Sequence, residues 1–96
     1  MITTKERAAL KAIAVNLSPI MQVGKDGLTD NVLTQIEEML YNREIIKINI
    51  LKNCDYNAKK AIQIICQKLN CEAVQAIGNK VVVYKYSNKK DIKHIL

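Results

Sequence analysis

Apolar and polar positions follow two different periods along the chain, and together they predict three helices and four strands. An apolar residue every three or four positions is typical of a helix with one buried face, whereas alternation or a short apolar run indicates a strand. The predicted helices cover residues from Thr3 to about Ser18, 29–41 and 58–69, and the predicted strands cover 20–23, 44–51, 71–77 and 80–86. This pattern predicts one domain over residues 1–86 and a loose, basic C-terminal tail over 87–96.

Local signals indicate where the helices begin and end. Thr3 can cap the first helix, and the Ser18-Pro19 pair should end it, because proline restricts the residue before it. Either Asp55 or Asn57 can cap the third helix. Asn70 can provide a left-handed stop for that helix.

The strands predict an α/β fold with the order α-β-α-β-α-β-β and a four-stranded mixed sheet. Ile46, Ile48 and Ile50 alternate with Lys47, which places the lysine on the opposite face of its strand. The apolar run 81–84 is typical of a central, covered strand. Helices between the first three strands favour right-handed crossovers and mostly parallel pairing, with an antiparallel final hairpin. We expect these elements to form two layers.

The segment Gly24-Lys25-Asp26-Gly27 lies between the first strand and the second helix. Glycine lets another backbone approach closely, and the first amides of a helix lack intrahelical partners. Lys25 adds a positive charge, so the loop is a candidate cradle for an anion such as phosphate. Asp26 and Asp30 would weaken that attraction. Neither the Walker pattern nor the three-glycine dinucleotide pattern is present, and an ordinary turn is the simpler alternative.

Charge narrows the choice of partner. The 96 residues include 15 Lys and Arg against 9 Asp and Glu, a formal net charge of +6. A basic excess favours a polyanionic partner, either nucleic acid or an anionic membrane face. A soluble basic protein with no such partner is the alternative. The sequence has no signal-peptide pattern and no run of membrane-spanning length, so we expect a cytoplasmic protein that does not bind membranes.

The residues that carry most enzyme chemistry are scarce. Cys54, Cys66 and Cys71 lack the spacing of a zinc site and are expected to be free thiols. One histidine, His94, gives no catalytic triad, and adjacent carboxylates at 37–38 splay apart around a helix. We therefore expect no catalytic residues, metal, cofactor or small-molecule substrate. The acidic face around 37–38 leaves open a second class, a protein-interaction module.

Two segments resemble the YhbY-like family, also called the CRM domain (chloroplast RNA splicing and ribosome maturation). One is LSPIMQVGKDGLT over 17–29, running on to REIIKI over 43–48, and the other is VQAIGNKVVVYK over 74–85. The resemblance implies a mixed sheet with the fourth strand antiparallel to the others, similar to the C-terminal domain of translation initiation factor 3. It also implies RNA binding and association with large-subunit precursors. The family's G-x-x-G loop corresponds to residues 24–27. Lys85 departs from the arginine expected after the tyrosine, which removes a planar, bidentate phosphate contact.

These observations predict that the loop amides and Lys25 bind a phosphate of structured ribosomal RNA, or of a pre-large-subunit particle, as a monomer. Other basic residues could extend the contact along one track: Lys5, Arg7, Lys11, Arg43, Lys47 and Lys85. Such contacts position a protein and report little about base sequence. Tyr84 lies in an apolar strand, where core packing is favoured over base stacking. We therefore expect recognition of RNA shape and backbone.

Overall fold

The computed structural model describes residues 2–96 and confirms the predicted order of elements. The helices are α1 (Thr4–Ala14), α2 (Asp30–Arg43) and α3 (Ala58–Leu69), and the strands are β1 (Met21–Val23), β2 (Ile45–Ile50), β3 (Glu72–Ile77) and β4 (Lys80–Tyr84). Most boundaries lie within two residues of the prediction. The exception is α1, which ends at Ala14 and is followed by tight backbone turns from Ile13 to Asn16 and from Ala14 to Leu17. The prediction that Ser18-Pro19 ends this helix is therefore wrong.

The four strands lie in the order β1-β2-β4-β3. β1 is parallel to β2, whereas β4 is antiparallel to both β2 and β3. The fourth strand is thus antiparallel to the others, as the family resemblance implied. The expectation of mostly parallel pairing is wrong, because β4 enters between β2 and β3 and leaves one parallel pair among the three. As predicted, β4 is central, and Val81, Val82, Val83 and Tyr84 are buried.

Helices cover both faces of the sheet, so the expected two layers need one correction. Ile46, Ile48 and Ile50 of β2 pack with α2 and α3 in the larger core. On the opposite face, Ile45 packs with Leu10 of α1 in a smaller cluster. Strand alternation explains this division, because successive side chains point to opposite faces. The first helix therefore forms a partial third layer.

Capping side chains fix the helix ends as the sequence indicated. Thr3 and Glu6 form the reciprocal capping box at the start of α1. Asn57, rather than Asp55, caps α3 by accepting the Lys60 amide at 2.9 Å. Asn70 has a left-handed backbone (φ 54°) immediately after α3. These caps satisfy amides and reverse the chain at positions the sequence identifies.

The C-terminal segment is anchored by a buried carboxylate. Glu44, predicted as the first residue of a strand, instead follows α2 with a φ of 67° and is fully buried. Its oxygens accept the Ser87 amide at 2.7 Å and the Ile95 amide at 3.2 Å, and His94 Nδ1 lies 2.7 Å away. The expectation of a loose tail is therefore wrong for these residues, because the segment returns to the end of α2.

Across residues 2–96, no helix combines the length and apolar character needed to cross a membrane.

Candidate nucleic-acid interface

The glycine loop is a tight turn at the carboxyl end of β1. The Gly27 amide donates to the Gly24 carbonyl at 3.0 Å, so Lys25 and Asp26 form the tip of the turn. The Leu51 amide donates to the carbonyl of Val23 at 2.8 Å, which ties the start of the loop to the end of β2. The loop is therefore held at both ends, and its two charged side chains are exposed.

The two glycines are required for different reasons. Gly27 is buried with a φ of 69°, and an added Cβ would lie 2.5 Å from the Tyr56 hydroxyl. Both the backbone conformation and the space therefore demand glycine there. At Gly24 the φ is not positive, and an added Cβ would make 3.4 Å contacts with Asn53 and Leu51. The protein's own packing thus tolerates a methyl group at Gly24.

Protein atoms occupy part of the amide cradle that the sequence predicted. The Tyr56 hydroxyl accepts the Leu28 amide, and the Thr29 side chain accepts the Val32 amide at 3.2 Å. The expectation that the amides around the start of α2 are free to bind an anion is therefore wrong for Leu28, which precedes the helix, and for Val32. At the tip of the turn, the hydrogen bonds within residues 2–96 leave the amides of Lys25 and Asp26 without an acceptor. These two amides can still donate hydrogen bonds to an oxygen atom of a ligand.

Charges of both signs surround the tip. Lys25 is exposed and forms no ion pair with any residue in the described part of the chain. Asp26 and Asp30 are also exposed, the latter in the first turn of α2. Carboxylates near an anion site lower its affinity for anions. A phosphate at the tip would thus be held by amides and one ammonium, against the opposition of two carboxylates.

An uncovered part of the sheet lies at the same end as the glycine loop. Strand pairing forms a row across the sheet that consists of Gln22, Asn49, Lys80 and Ile77. Lys80 Nζ donates to Asn49 Oδ1 at 3.2 Å, and Gln22 and Ile77 are exposed. By alternation these residues share a face with Ile45, which α1 covers nearer the other end. We call this row, together with Lys47, the open sheet face.

The predicted basic residues fall into separate groups. Lys47 lies on β2, paired with Val82, on the face opposite Ile46 and Ile48, as expected. Arg43 and Lys85 lie at the other end of the sheet, near the Ile45–Tyr84 pair. The structure therefore places Lys47 in the middle of its strand, and Arg43 and Lys85 at the end of the sheet opposite the glycine loop.

Two of these basic side chains already bind protein carbonyls. Lys85 Nζ donates to the Leu69 carbonyl at 2.9 Å, where it satisfies the end of α3. Arg7 Nε donates to the Ala73 carbonyl at 3.1 Å on β3. Lys5 and Lys11 are exposed on α1. The single continuous track suggested by the sequence is thus divided by the fold.

Sequence reasoning did not identify Tyr56, Asn49 or Lys80 as candidate site residues. The contact of Tyr56 with the loop spans 28 positions and has no local signal. Lys80 could have been found, because strand alternation places it on the same face as Val82 and Tyr84. Tyr84 is only 4% exposed, which confirms the preference for core packing. Burial raises the pKa of its hydroxyl.

These features define a small α/β domain with a structured glycine turn and an adjacent polar sheet face. Comparison with known proteins identifies the family to which this domain belongs. Residues 2–85 match the CRS1/YhbY (CRM) domain. The chain belongs to this family.

Relatives of nearly the same length are similar over almost their whole chains. The Probable RNA-binding protein YqeI of Bacillus subtilis is 39% identical over 89 residues, covering 93% of each chain. A Haemophilus influenzae protein named RNA-binding protein is 32% identical over 92 residues, covering 96% of this chain and 93% of its own. The solution structure of the hypothetical protein SAV1595 from Staphylococcus aureus has a TM-score of 0.79 and 35% identity, covering 95% of each chain. The last comparison confirms the fold.

Proposed function

We propose that this protein binds structured ribosomal RNA through its sugar-phosphate backbone, and that it takes part in assembly of the large ribosomal subunit. Its relatives YqeI and the Haemophilus influenzae protein carry RNA binding in their names. The net charge of +6 favours the same partner. The observation that carries the proposal is the turn tip, where two unpaired amides and an exposed lysine lie together.

A phosphate oxygen suits the tip of the glycine turn. The amides of Lys25 and Asp26 can donate to the oxygen, and the Lys25 ammonium can approach it from solvent. Gly24 has no side chain to obstruct this approach, although the fold would tolerate a methyl group there. Close passage of an RNA backbone is a physical reason for glycine at that position.

The open sheet face offers a continuation of the same path. Lys47 and Lys80 supply positive charge, whereas Gln22 and Asn49 supply amide groups that can bind a 2′-hydroxyl or a phosphate. None of these residues can stack on a base. Tyr84 is buried, so it is not available for stacking either. The contact set therefore suits recognition of shape and backbone rather than base sequence.

The arrangement favours binding over catalysis. The lone histidine, His94, lies beside the buried Glu44, and within residues 2–96 no group of three or more potential ligands could hold a metal ion. We propose a cytoplasmic protein with no cofactor that acts as a monomer on RNA or on pre-large-subunit particles. The assembly role rests on the family resemblance, and the RNA role rests also on the site.

The sharpest test of the loop uses a matched pair of charge reversals. Lys25→Glu places a carboxylate at the turn tip, whereas Lys68→Glu makes the same change on an exposed position near the far end of α3. We expect Lys25→Glu to weaken binding to ribosomal RNA at least about tenfold, and Lys68→Glu to weaken it less than about threefold. Filter binding would measure both, with circular dichroism to verify folding. Equal losses would remove the loop from the site.

The assembly role needs a separate experiment. Sucrose-gradient sedimentation of the tagged protein from cells should place it with immature large subunits at low salt and release it at high salt. Sedimentation only at the top of the gradient under both conditions would contradict the assembly role, although purified RNA could still bind.

A protein-docking role is the second candidate, and one groove favours it. The groove lies between α2 and residues 85–88, encloses about 580 Å³ and is lined by Glu37, Glu38, Tyr41 and Tyr86 among others. Aromatic walls beside two carboxylates suit a basic segment of a ribosomal protein or assembly factor. Pull-down after nuclease treatment separates the two roles, because a partner retained without RNA is bound through protein.

A further inference from the structure

Two cysteines lie close together at the corner between α3 and β3. Cys66 is near the end of α3, Cys71 immediately precedes β3, and the left-handed Asn70 reverses the chain between them. The two Sγ atoms are 3.8 Å apart, and both thiols are free. Cys54 is the third free cysteine and lies in the loop before α3.

The two thiols differ in exposure and in protonation. Cys66 is partly exposed, whereas Cys71 is 7% exposed and its Sγ lies 3.8 Å from both Cys66 Sγ and the Ile65 carbonyl oxygen. The hydrogen bond from Cys71 to Cys66 lowers the pKa of Cys66, against the opposing effects of burial and of the Glu72 carboxylate. The same bond, together with burial, raises the pKa of Cys71. Such a difference favours Cys66 as the attacking sulfur, because the thiolate is the nucleophile.

We propose that Cys66 and Cys71 form a redox-active pair that a hydroperoxide converts to an intrachain disulfide. In the first step the Cys66 sulfur attacks the peroxide, the O–O bond breaks, and one oxygen stays on sulfur as sulfenic acid while the other leaves as water or alcohol. In the second step Cys71 attacks the Cys66 sulfur, the S–O bond breaks, and water leaves. The peroxide is thereby reduced by two electrons, and the two thiols are oxidised together.

The geometry requires only a local movement. The two sulfurs start 3.8 Å apart. A disulfide bond is about 2 Å long, and side-chain rotation at a helix end can supply the difference. The resulting bond would join the last turn of α3 to the start of β3, at the corner where Lys85 already holds the Leu69 carbonyl. Because the corner lies at the opposite end of the sheet from the glycine loop, this inference does not depend on RNA binding.

Trypsin gives a direct test, because lysines separate the three cysteines. Cleavage after Lys52, Lys59, Lys60, Lys68 and Lys80 places Cys54, Cys66 and Cys71 in the peptides 53–59, 61–68 and 69–80. The folded full-length protein is treated with hydrogen peroxide, its remaining thiols are alkylated, and it is digested without reduction. We expect a mass loss of about 2 Da before alkylation, and a linked pair of peptides 61–68 and 69–80.

Two variants keep the test decisive. Cys54→Ser retains the pair and should form the same linked peptides, whereas Cys66→Ser should form no intrachain disulfide. Peptide 61–68 carrying sulfinic acid without a link, or a link through 53–59, would overturn the proposal. Should Cys54→Ser fail to fold, the wild-type peptide map alone gives the same decision. Oxidised wild-type protein should bind RNA within about twofold of the reduced form.

Discussion

The hydroxyl of Tyr56 accepts a hydrogen bond from the backbone amide of Leu28, 28 residues earlier in the chain. The same hydroxyl occupies the space that a side chain at Gly27 would need. One tyrosine from the segment before α3 thus fixes the turn that follows β1. Because the Leu28 amide donates to this hydroxyl, it is not available to an external anion. The amides at the turn tip keep no protein acceptor, so the proposed phosphate site is centred on Lys25 and Asp26.

Tyr56→Phe should loosen the glycine turn without removing its core contact. The variant leaves the Leu28 amide, which is part-buried, without its acceptor. An unsatisfied donor of this kind costs about 1–2 kcal/mol. Urea unfolding should therefore report a free energy of unfolding lower by that amount. Tyr41→Phe is the control, because Tyr41 is exposed. Equal stability of both variants would contradict a structural role for the hydroxyl.

The two loop glycines should respond differently to alanine. Gly27→Ala introduces a Cβ at positive φ against the Tyr56 hydroxyl. We therefore expect a loss of about 1–3 kcal/mol in unfolding free energy. Gly24→Ala meets only ordinary contacts and should change that free energy by no more than about 0.5 kcal/mol. If an RNA backbone passes close to Gly24, this second variant should nevertheless bind RNA less tightly. Wild-type affinity in a Gly24→Ala protein would argue against that close passage.

RNA affinity should depend steeply on salt. If about four phosphates are neutralised, affinity falls by roughly three decades per decade of salt, at about 0.7–0.9 per contact. Replacing Lys80 with alanine should lower this slope by about 1 if the open sheet face contacts phosphate. Lys68→Ala, far from that face, should leave the slope unchanged. A flat salt series for the wild-type protein would be inconsistent with phosphate binding.

Acid should unfold the protein through Glu44. Burial acts to raise the pKa of this carboxyl, but hydrogen bonds from the Ser87 amide, His94 and the Ile95 amide outweigh it, so the pKa lies below its ordinary value of 4.5. A lowered folded-state pKa contributes stability that is present above the unfolded pKa and is lost as pH falls through the folded one. Unfolding free energy should therefore decline below about pH 4.5.

Glu44→Gln tests that assignment. The variant should lose about 1–3 kcal/mol at neutral pH, because it removes a buried charged acceptor, and its acid decline should be shallower. Glu37→Gln, an exposed change on α2, is the matched control. Parallel acid curves for wild-type and Glu44→Gln proteins would show that other carboxylates dominate.

Elements governed by local periodicity were predictable from sequence, and so were most of their caps. The Thr3 capping box and the left-handed Asn70 each have a short-range cause. Strand order had no such cause, because insertion of β4 between β2 and β3 depends on side chains far apart in sequence. The family resemblance predicted that β4 is antiparallel to the other strands, whereas the rules for helix-connected strands alone favoured mostly parallel pairing.

The candidate site was predictable in part. The turn at 24–27 and the face of Lys47 follow from local pattern. The Tyr56 contact and the burial of Glu44 under the C-terminal segment do not, because each joins residues more than 25 positions apart. Lys85 illustrates the same limit. The sequence shows that Lys85 is charged, but its hydrogen bond to the Leu69 carbonyl could be found only from the folded structure.

The position of β4 has a consequence for folding of the nascent chain during translation. The strand that joins both halves of the sheet is the last to leave the ribosome during synthesis, since it ends at Tyr84. Until then β2 lacks its neighbour on one side, and β3 has none in the sheet. Folding of this domain must therefore wait until nearly all of it has been translated.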